Sequence, residues 1–312
     1  MALELDKQDQ VPGGIRKIVC KRIDKALAML NGKNRSVSDK AVHDVRKRFK
    51  EIRGTLRLVR DELGEKTFRK ENRAFRDAGR PLSELRDAKV LVDTLDNLLE
   101  HFQGRVKAQE FAPLRRKLLE KRRQIRKKVL TQDHAVAEVV KEIREARKRV
   151  KKWPLENCGW SAVEGGVERV YAQGRKAMTR ARENPTDESL HEWRKRSKDL
   201  RYELELLEPL WRETIGALAE QARHLTDLLG EDHDLAVLGT LPPQLNADAP
   251  LDNELLLALI NERRAALQRE AFELGEKLYA ETEKGFIKRL KDYWKAAHDK
   301  QPAEFDQIRI PN

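Results

Sequence analysis

Residues 42–53 read Val42-His43-Asp44-Val45-Arg46-Lys47-Arg48-Phe49-Lys50-Glu51-Ile52-Arg53. Residues 190–201 read Leu190-His191-Glu192-Trp193-Arg194-Lys195-Arg196-Ser197-Lys198-Asp199-Leu200-Arg201. The two align without a gap at a constant offset of 148. Further on, Arg76 and Asp87-Ala88-Lys89-Val90-Leu91 match Arg223 and Asp234-Leu235-Ala236-Val237-Leu238 at an offset of 147. The chain is therefore an internal duplication, and each copy must supply the same kind of structure.

On a helical wheel starting at Val42, Val45, Phe49, Ile52, Leu56 and Val59 fall within roughly 100° of one another, a stripe that a helix buries. His43, Arg46, Lys47, Lys50, Arg53 and Arg57 occupy the adjacent arc of about 120°. No carboxylate interrupts that arc before Asp61, while Asp44 and Glu51 lie on the far side. The second copy repeats the segregation with His191, Arg194, Lys195, Lys198 and Arg201; Glu205 stands where Arg57 does. Like charges three and four residues apart repel by a few tenths of a kcal/mol per pair. A cluster of five or six is thus expected to hold an anion, with the histidines adding hydrogen bonds that strengthen on protonation.

Further basic positions follow from a predicted helix over 114–130. Arg115, Arg122 and Arg126 lie beside its apolar stripe, while Arg116, Arg123 and Lys127 point elsewhere. The matching segment, 261–278, keeps Arg263 and Arg264 but has Glu270 and Leu274 opposite Arg122 and Arg126. The first half is therefore expected to dominate a lopsided site.

Around this repeat, the 312 residues show no sustained strand alternation. Breakers concentrate at 13–14, 31–38, 79–81, 153–166, 184–185, 230–232 and 241–250, and Ser38-Asp39 and Thr186-Asp187-Glu188 read as helix N-caps. Charged residues reach 38% against a typical ~25%, and aromatics only 5%, which suits long helices with charged outer faces. About four helices per half are predicted, with the division near 153–164. The net charge of +12 points to an anionic partner, and its excess is uneven: 105–128 carries 11 basic residues against Glu110 and Glu120. Two cysteines, no apolar N-terminal run and no stretch of ~18 apolar residues lead us to expect a cytoplasmic protein with no membrane association.

With both copies of the His-x-x-Arg helix, each followed by its Arg and Asp-x-x-Val-Leu element, the sequence resembles the CHAD family, the conserved-histidine α-helical domain. The resemblance spans roughly residues 14–295. It implies an all-α fold of two four-helix bundles related by pseudo-twofold symmetry around a central basic groove or pore, and binding of inorganic polyphosphate. The bundles would cover 14–152 and 164–300 of one domain (14–300), with tails at 1–13 and 301–312. Carried over, the basic residues above would contact phosphate, and Tyr171 and Arg175 would match a Tyr-x-x-x-Arg element. Their first-half counterparts, Cys20 and Asp24, break the symmetry. Many CHAD domains sit beside a triphosphate-tunnel domain; the ~40 residues before His43 are too few for one. Polyphosphate granules, with the protein partners found there, are the associated location.

Rival readings remain. No Walker A loop, dinucleotide loop, His-Glu-x-x-His, Gly-x-Ser-x-Gly or cysteine cluster is present, so we expect no enzyme, cofactor or metal. The His43-Asp44 and His233-Asp234 dipeptides keep a metal-dependent phosphohydrolase as a minor alternative. A nucleic-acid-binding module is the main one, since phosphate backbones attract the same faces. A scaffold for an acidic protein is a third. Asp87 and Asp234 are expected to be structural, paired with Arg76 and Arg223.

Overall fold

The computed structural model describes residues 3–6, 8–30, 38–129, 135–241 and 253–298. The breaker-rich stretches at 31–37 and 242–250 and the tail 301–312 lie outside these residues. Eleven α-helices and no strand are present among the described residues: α1 (Val11–Leu30), α2 (Asp39–Leu58), α3 (Arg60–Gly79), α4 (Ser83–His101), α5 (Ala112–Lys127), α6 (Ala135–Val150), α7 (Ser161–Glu183), α8 (Asp187–Leu207), α9 (Arg212–Gly239), α10 (Asn253–Leu278) and α11 (Glu283–His298).

The predicted caps hold. The Ser38 side chain accepts from Ala41 N at the start of α2, and Thr186 forms a capping box with Ser189 at the start of α8. Val45, Phe49, Ile52, Leu56 and Val59 are all buried, as are Trp193, Leu200 and Leu204 on α8. The two halves share a contact pattern: α1 packs on α2 and α6 as α7 packs on α8 and α11, and α4 packs on α5 as α9 packs on α10.

Among the described residues the halves hold six and five helices, where about four each were expected. Pro81 has no N–H to donate and ends the run after Gly79, separating α3 from α4. The second copy has Thr226-Asp227-Leu228 at the same positions, so α9 continues unbroken through them. Residues 3–6, expected within a tail, are held instead. Leu3 and Leu5 are buried, and Leu5 N donates to Leu206 O at 2.9 Å.

Close backbone approaches join the halves. A Cβ on Gly54 would lie 2.7 Å from the Cβ of Tyr202, which sets how closely α2 meets α8. A Cβ on Gly166 would lie 2.0 Å from the Leu58 carbonyl oxygen, where α7 meets α2. Glu51, on the far side of α2 from the basic arc, is buried between Arg22, at 2.8 Å, and Arg48, at 2.7 Å. Its charge is satisfied inside the protein.

Glu203 on α8 is different. It is 1% exposed, and neither carboxylate oxygen has a hydrogen-bond partner. Burial, with Asp199 nearby, holds its carboxyl well above the usual range. Glu203→Met, of similar length and apolar, is expected to raise stability by about 1–2 kcal/mol. Chemical denaturation at pH 7 checks this; a loss of stability would contradict it.

Candidate functional site

Helices α2 and α8 face each other, with α4 and α9 as flanking walls. Between them lies a cleft of about 620 Å³. His43, Arg46, Lys47 and Lys50 line it from α2; Arg194, Lys198, Arg201 and Tyr202 line it from α8. The two copies of the repeated motif thus present their basic arcs to one shared space. The reason is the sequence pattern itself: each arc borders a buried stripe, so packing the stripes brings the arcs together.

The cations here are crowded and short of partners. Lys47, Lys50, Arg194 and Lys198 have no carboxylate within ion-pair distance among the described residues. Arg194 Nε is buried with no hydrogen-bond partner. Lys50 reaches solvent, yet protein surrounds it on nearly every side. Burial, followed by the neighbouring Arg46 and Arg194, lowers its pKa to about 8. Burial, Arg194 and Lys50 lower that of Lys198 to about 7. Arg46 is partly tied down, donating to Gly79 O at 2.9 Å and to the Ser83 hydroxyl.

A second cavity of about 210 Å³ shares Arg46 and Lys50 and extends past Arg53, Arg76 and Arg80, with no acid in its lining. Burial and Arg57 lower the Arg53 pKa to about 10, and Arg53 Nε donates to Asn72 Oδ1 at 2.9 Å. The opposite end of the main cleft is less positive. Arg201 is paired with Glu205 at 2.8 Å, and Arg223 with Glu205 at 3.4 Å and Glu220 at 3.3 Å.

Several predicted positions fall outside both cavities. Arg57 is paired with Asp199 at 3.2 Å. Lys195 turns to Glu192 at 3.1 Å. Arg115 is taken by Asp96 at 2.7 Å, while Arg122 and Arg126 both hold Asp39, the latter at 2.6 Å. Arg175 pairs with Glu283 at 2.9 Å, and Arg263 with Glu231 at 2.6 Å. Arg264 bridges Asp232, at 2.9 Å, and Asp187. Tyr171 is fully buried, stacked on Phe286 with ring centroids 4.0 Å apart. These are structural contacts within the fold, made, except for Lys195 with Glu192, with acids or rings well separated in sequence.

The histidines divide. His43 lines the cleft, whereas His191 lies against His233, with ring centroids 4.3 Å apart. Burial and then His233 lower the His191 pKa to about 4; burial and Arg86 lower that of His43. Burial thus makes both histidines harder to protonate than a free imidazole.

Sequence reasoning missed the wall helices. Arg86, Val90, Thr94, Asn97 and Leu98 on α4, and Arg223, Thr226, Asp227 and His233 on α9, line the cleft. The spacing of Asp87, Val90 and Thr94 places them on one helix face, a signal that was available. Asp87 and Asp234 also line the cleft and do not pair with Arg76 or Arg223: Arg76 is held by Asp77 at 2.9 Å.

No helix among the described residues is long and apolar enough to cross a membrane. Comparison with curated proteins finds no match. Among solved structures, the crystal structure of the CHAD domain from the plant Ricinus communis is similar, with a TM-score of 0.62 and 17% identity over 90% of this chain and 96% of that one. At that identity the likeness speaks for the fold. The sequence profile of the CHAD domain matches residues 18–241, which carry both repeated helices and both Asp-x-x-Val-Leu elements. The chain belongs to the CHAD family.

Proposed function

We propose that this protein binds inorganic polyphosphate, without catalysis, in the cleft between α2 and α8. CHAD membership links the chain to polyphosphate binding. The observation that carries the reading is the set of unpaired cations, Lys47, Lys50, Arg194 and Lys198, facing one another from two helices. Like charges held this close raise the free energy of the empty cleft, and a chain with about one negative charge per phosphate relieves them in succession. Arg194 supplies a planar fork and the lysines mobile point charges. Release of counterions from the chain makes affinity fall steeply with salt. The first-half end, with its acid-free extension past Arg53, holds the chain more strongly than the Arg201 end.

A narrow polyanion fits better than nucleic acid. The cleft volume is in the range of small-ligand sites. Base stacking needs exposed ring faces, but Phe49 and Trp193 are 2% and 0% exposed, and Tyr202, in the cleft wall, is 5% exposed. Competition against labelled polyphosphate at matched salt tests this. Unlabelled polyphosphate is expected to displace it at far lower phosphate concentration than single- or double-stranded nucleic acid; the reverse order would favour the nucleic-acid reading. Phosphate release with Mg²⁺ or Mn²⁺, abolished by changing His233, would contradict the absence of catalysis. Association with polyphosphate granules in the cytoplasm, and with protein partners there, is part of the same proposal.

The lowered lysine pKa values set a pH dependence. Bound polyanion favours the ammonium forms, so from about pH 7 to 9 binding takes up protons and affinity falls as pH rises, by on the order of tenfold or more. The contribution to stability runs the other way. The unfolded chain, with lysines near 10.5, binds more protons than the folded one between about pH 7 and 10. The two lysines therefore add stability to the ligand-free protein as pH rises through that window. Titration calorimetry in buffers of different ionisation enthalpy counts the protons; zero uptake at pH 8 would contradict this.

A further inference from the structure

The smaller cavity, about 210 Å³, is bounded by α2, α3 and the start of α4. Five cations line it, Arg46, Lys50, Arg53, Arg76 and Arg80, and no carboxylate does. Arg76 is held by Asp77 at 2.9 Å, and Arg46 donates to the Gly79 carbonyl and the Ser83 hydroxyl. Lys50, Arg53 and Arg80 have no ion-pair partner among the described residues. The buried rings of Phe49 and Phe75 form the apolar side of the cavity. Arg46 and Lys50 also line the main cleft, so the two spaces adjoin.

The internal repeat separates what is special to this end from what both halves share. The five equivalent positions of the second half are Arg194, Lys198, Arg201, Arg223 and Asp227, and all of them line the main cleft. There the positive charge is offset. Arg201 and Arg223 share Glu205, and an aspartate stands where the first half has Arg80. A linear polyanion lying in the cleft therefore meets uncompensated cations at one end and a largely neutralised set at the other. The first-half cavity is also smaller than the roughly 300–1,000 Å³ of sites that take drug-sized ligands, so it suits a phosphate-sized group with water and not a nucleoside.

We propose that this cavity is a chain-end subsite: it takes the terminal phosphate of polyphosphate, and the phosphates that follow run past Lys50 into the cleft towards Lys198. The proposal rests on the polyphosphate reading and adds to it a direction and a preference for termini. A terminal phosphate, like a phosphomonoester, carries close to two negative charges near neutral pH and presents three free oxygens. An interior phosphate carries about one charge and brings two bridged neighbours into the same small space. Arg53 and Arg80 offer planar forks to the terminal oxygens, and Lys50, at the junction of the two spaces, meets the next phosphate as a point charge. No bond is made or broken.

The test compares polyphosphate of one length with the same polyphosphate esterified at both ends, each titrated calorimetrically into the full-length protein at one ionic strength. Wild type is expected to bind the end-blocked chain roughly tenfold more weakly, about the loss of one charge-assisted contact. Arg53→Gln/Arg80→Gln is expected to bind both chains with similar affinity, near that of wild type for the blocked chain. Sedimentation of the protein with long polyphosphate, at protein concentrations between the two affinities, gives a second readout. Wild type is expected to load one protein per chain end, whatever the chain length. Equal affinity of wild type for blocked and unblocked chains, a double variant that keeps the end preference, or loading that grows with chain length would overturn the inference and leave polyphosphate binding standing. Absence of wild-type binding to either chain would overturn the underlying reading as well. Arg80 is exposed, so Arg80→Gln alone gives the same contrast should the double variant be unstable.

Discussion

Replacing Lys50 and Lys198 together by Glu is expected to lower polyphosphate affinity by on the order of 10²–10⁴-fold at low salt. Each lysine faces the cleft without an ion-pair partner, so each contributes a charge-assisted contact of about 1.5–3 kcal/mol to bound phosphate. Reversal also sets a carboxylate where the chain must pass. The matched control is reversal of Arg116 and Arg123, two exposed residues on the outer side of α5. It changes net charge equally and is expected to cost less than about threefold, through long-range attraction alone. Arg48 and Arg196 make poor controls, because Arg48 holds buried Glu51 and Arg196 holds Glu192 and Asp199. Equal losses from the two double variants, measured by calorimetry at one ionic strength, would show that total charge and not the cleft decides binding.

Gly166→Ala is expected to destabilise the protein by about 3 kcal/mol, a fall in melting temperature of roughly 5–10 °C. The new Cβ would lie 2.0 Å from the Leu58 carbonyl oxygen and 2.6 Å from its carbon. Those are backbone atoms of α2, so relief requires moving α7 away from the helix that carries half of the cleft. Its neighbour is the control. At Gly165 an added Cβ would meet the Asp61 carboxylate at 2.1 Å, the end of a side chain that can swing away, although it also accepts from Arg169. Gly165→Ala is expected to be near neutral, because the gain of up to about 1 kcal/mol in helix propensity offsets what that pair loses. Thermal denaturation of the two variants separates a backbone clash from a general intolerance of side chains in α7. Similar melting temperatures would refute the close approach of α7 and α2.

What the sequence made legible follows from what helical periodicity can report. It identifies the direction in which a side chain leaves its own helix, so the buried stripe of Val45, Phe49 and Ile52 and the cationic arc of Arg46 and Lys50 are readable from residue order alone. The gapless repeat then places Arg194 and Lys198 equivalently. Periodicity does not report what stands opposite. Arg122 and Arg126 lie on the side of α5 expected of them, but Asp39, from the first turn of α2, claims both. Arg263 and Arg264 meet Glu231 and Asp232 on α9 in the same way. For Arg57 the repeat supplied both the residue and its competitor, since Asp199 comes from the other copy. The wall residues were missed for a related reason: Asp87 was weighed against arginines near it in sequence, whereas α4 presents it to α2.

The central claim is that polyphosphate lies between α2 and α8, and lysine protection tests it most directly. Lys50 and Lys198 hold a larger fraction of reactive neutral amine near pH 7.5 than an ordinary lysine, because their pKa values are lowered to about 8 and 7. Brief acylation at that pH, quantified residue by residue by mass spectrometry, is expected to label both strongly in the free protein. Added polyphosphate is expected to suppress both, while exposed Lys66 and Lys121 are little changed. Unchanged labelling of Lys50 and Lys198 under saturating polyphosphate, with protection appearing at Lys121 instead, would place the chain on the outer surface and contradict the cleft.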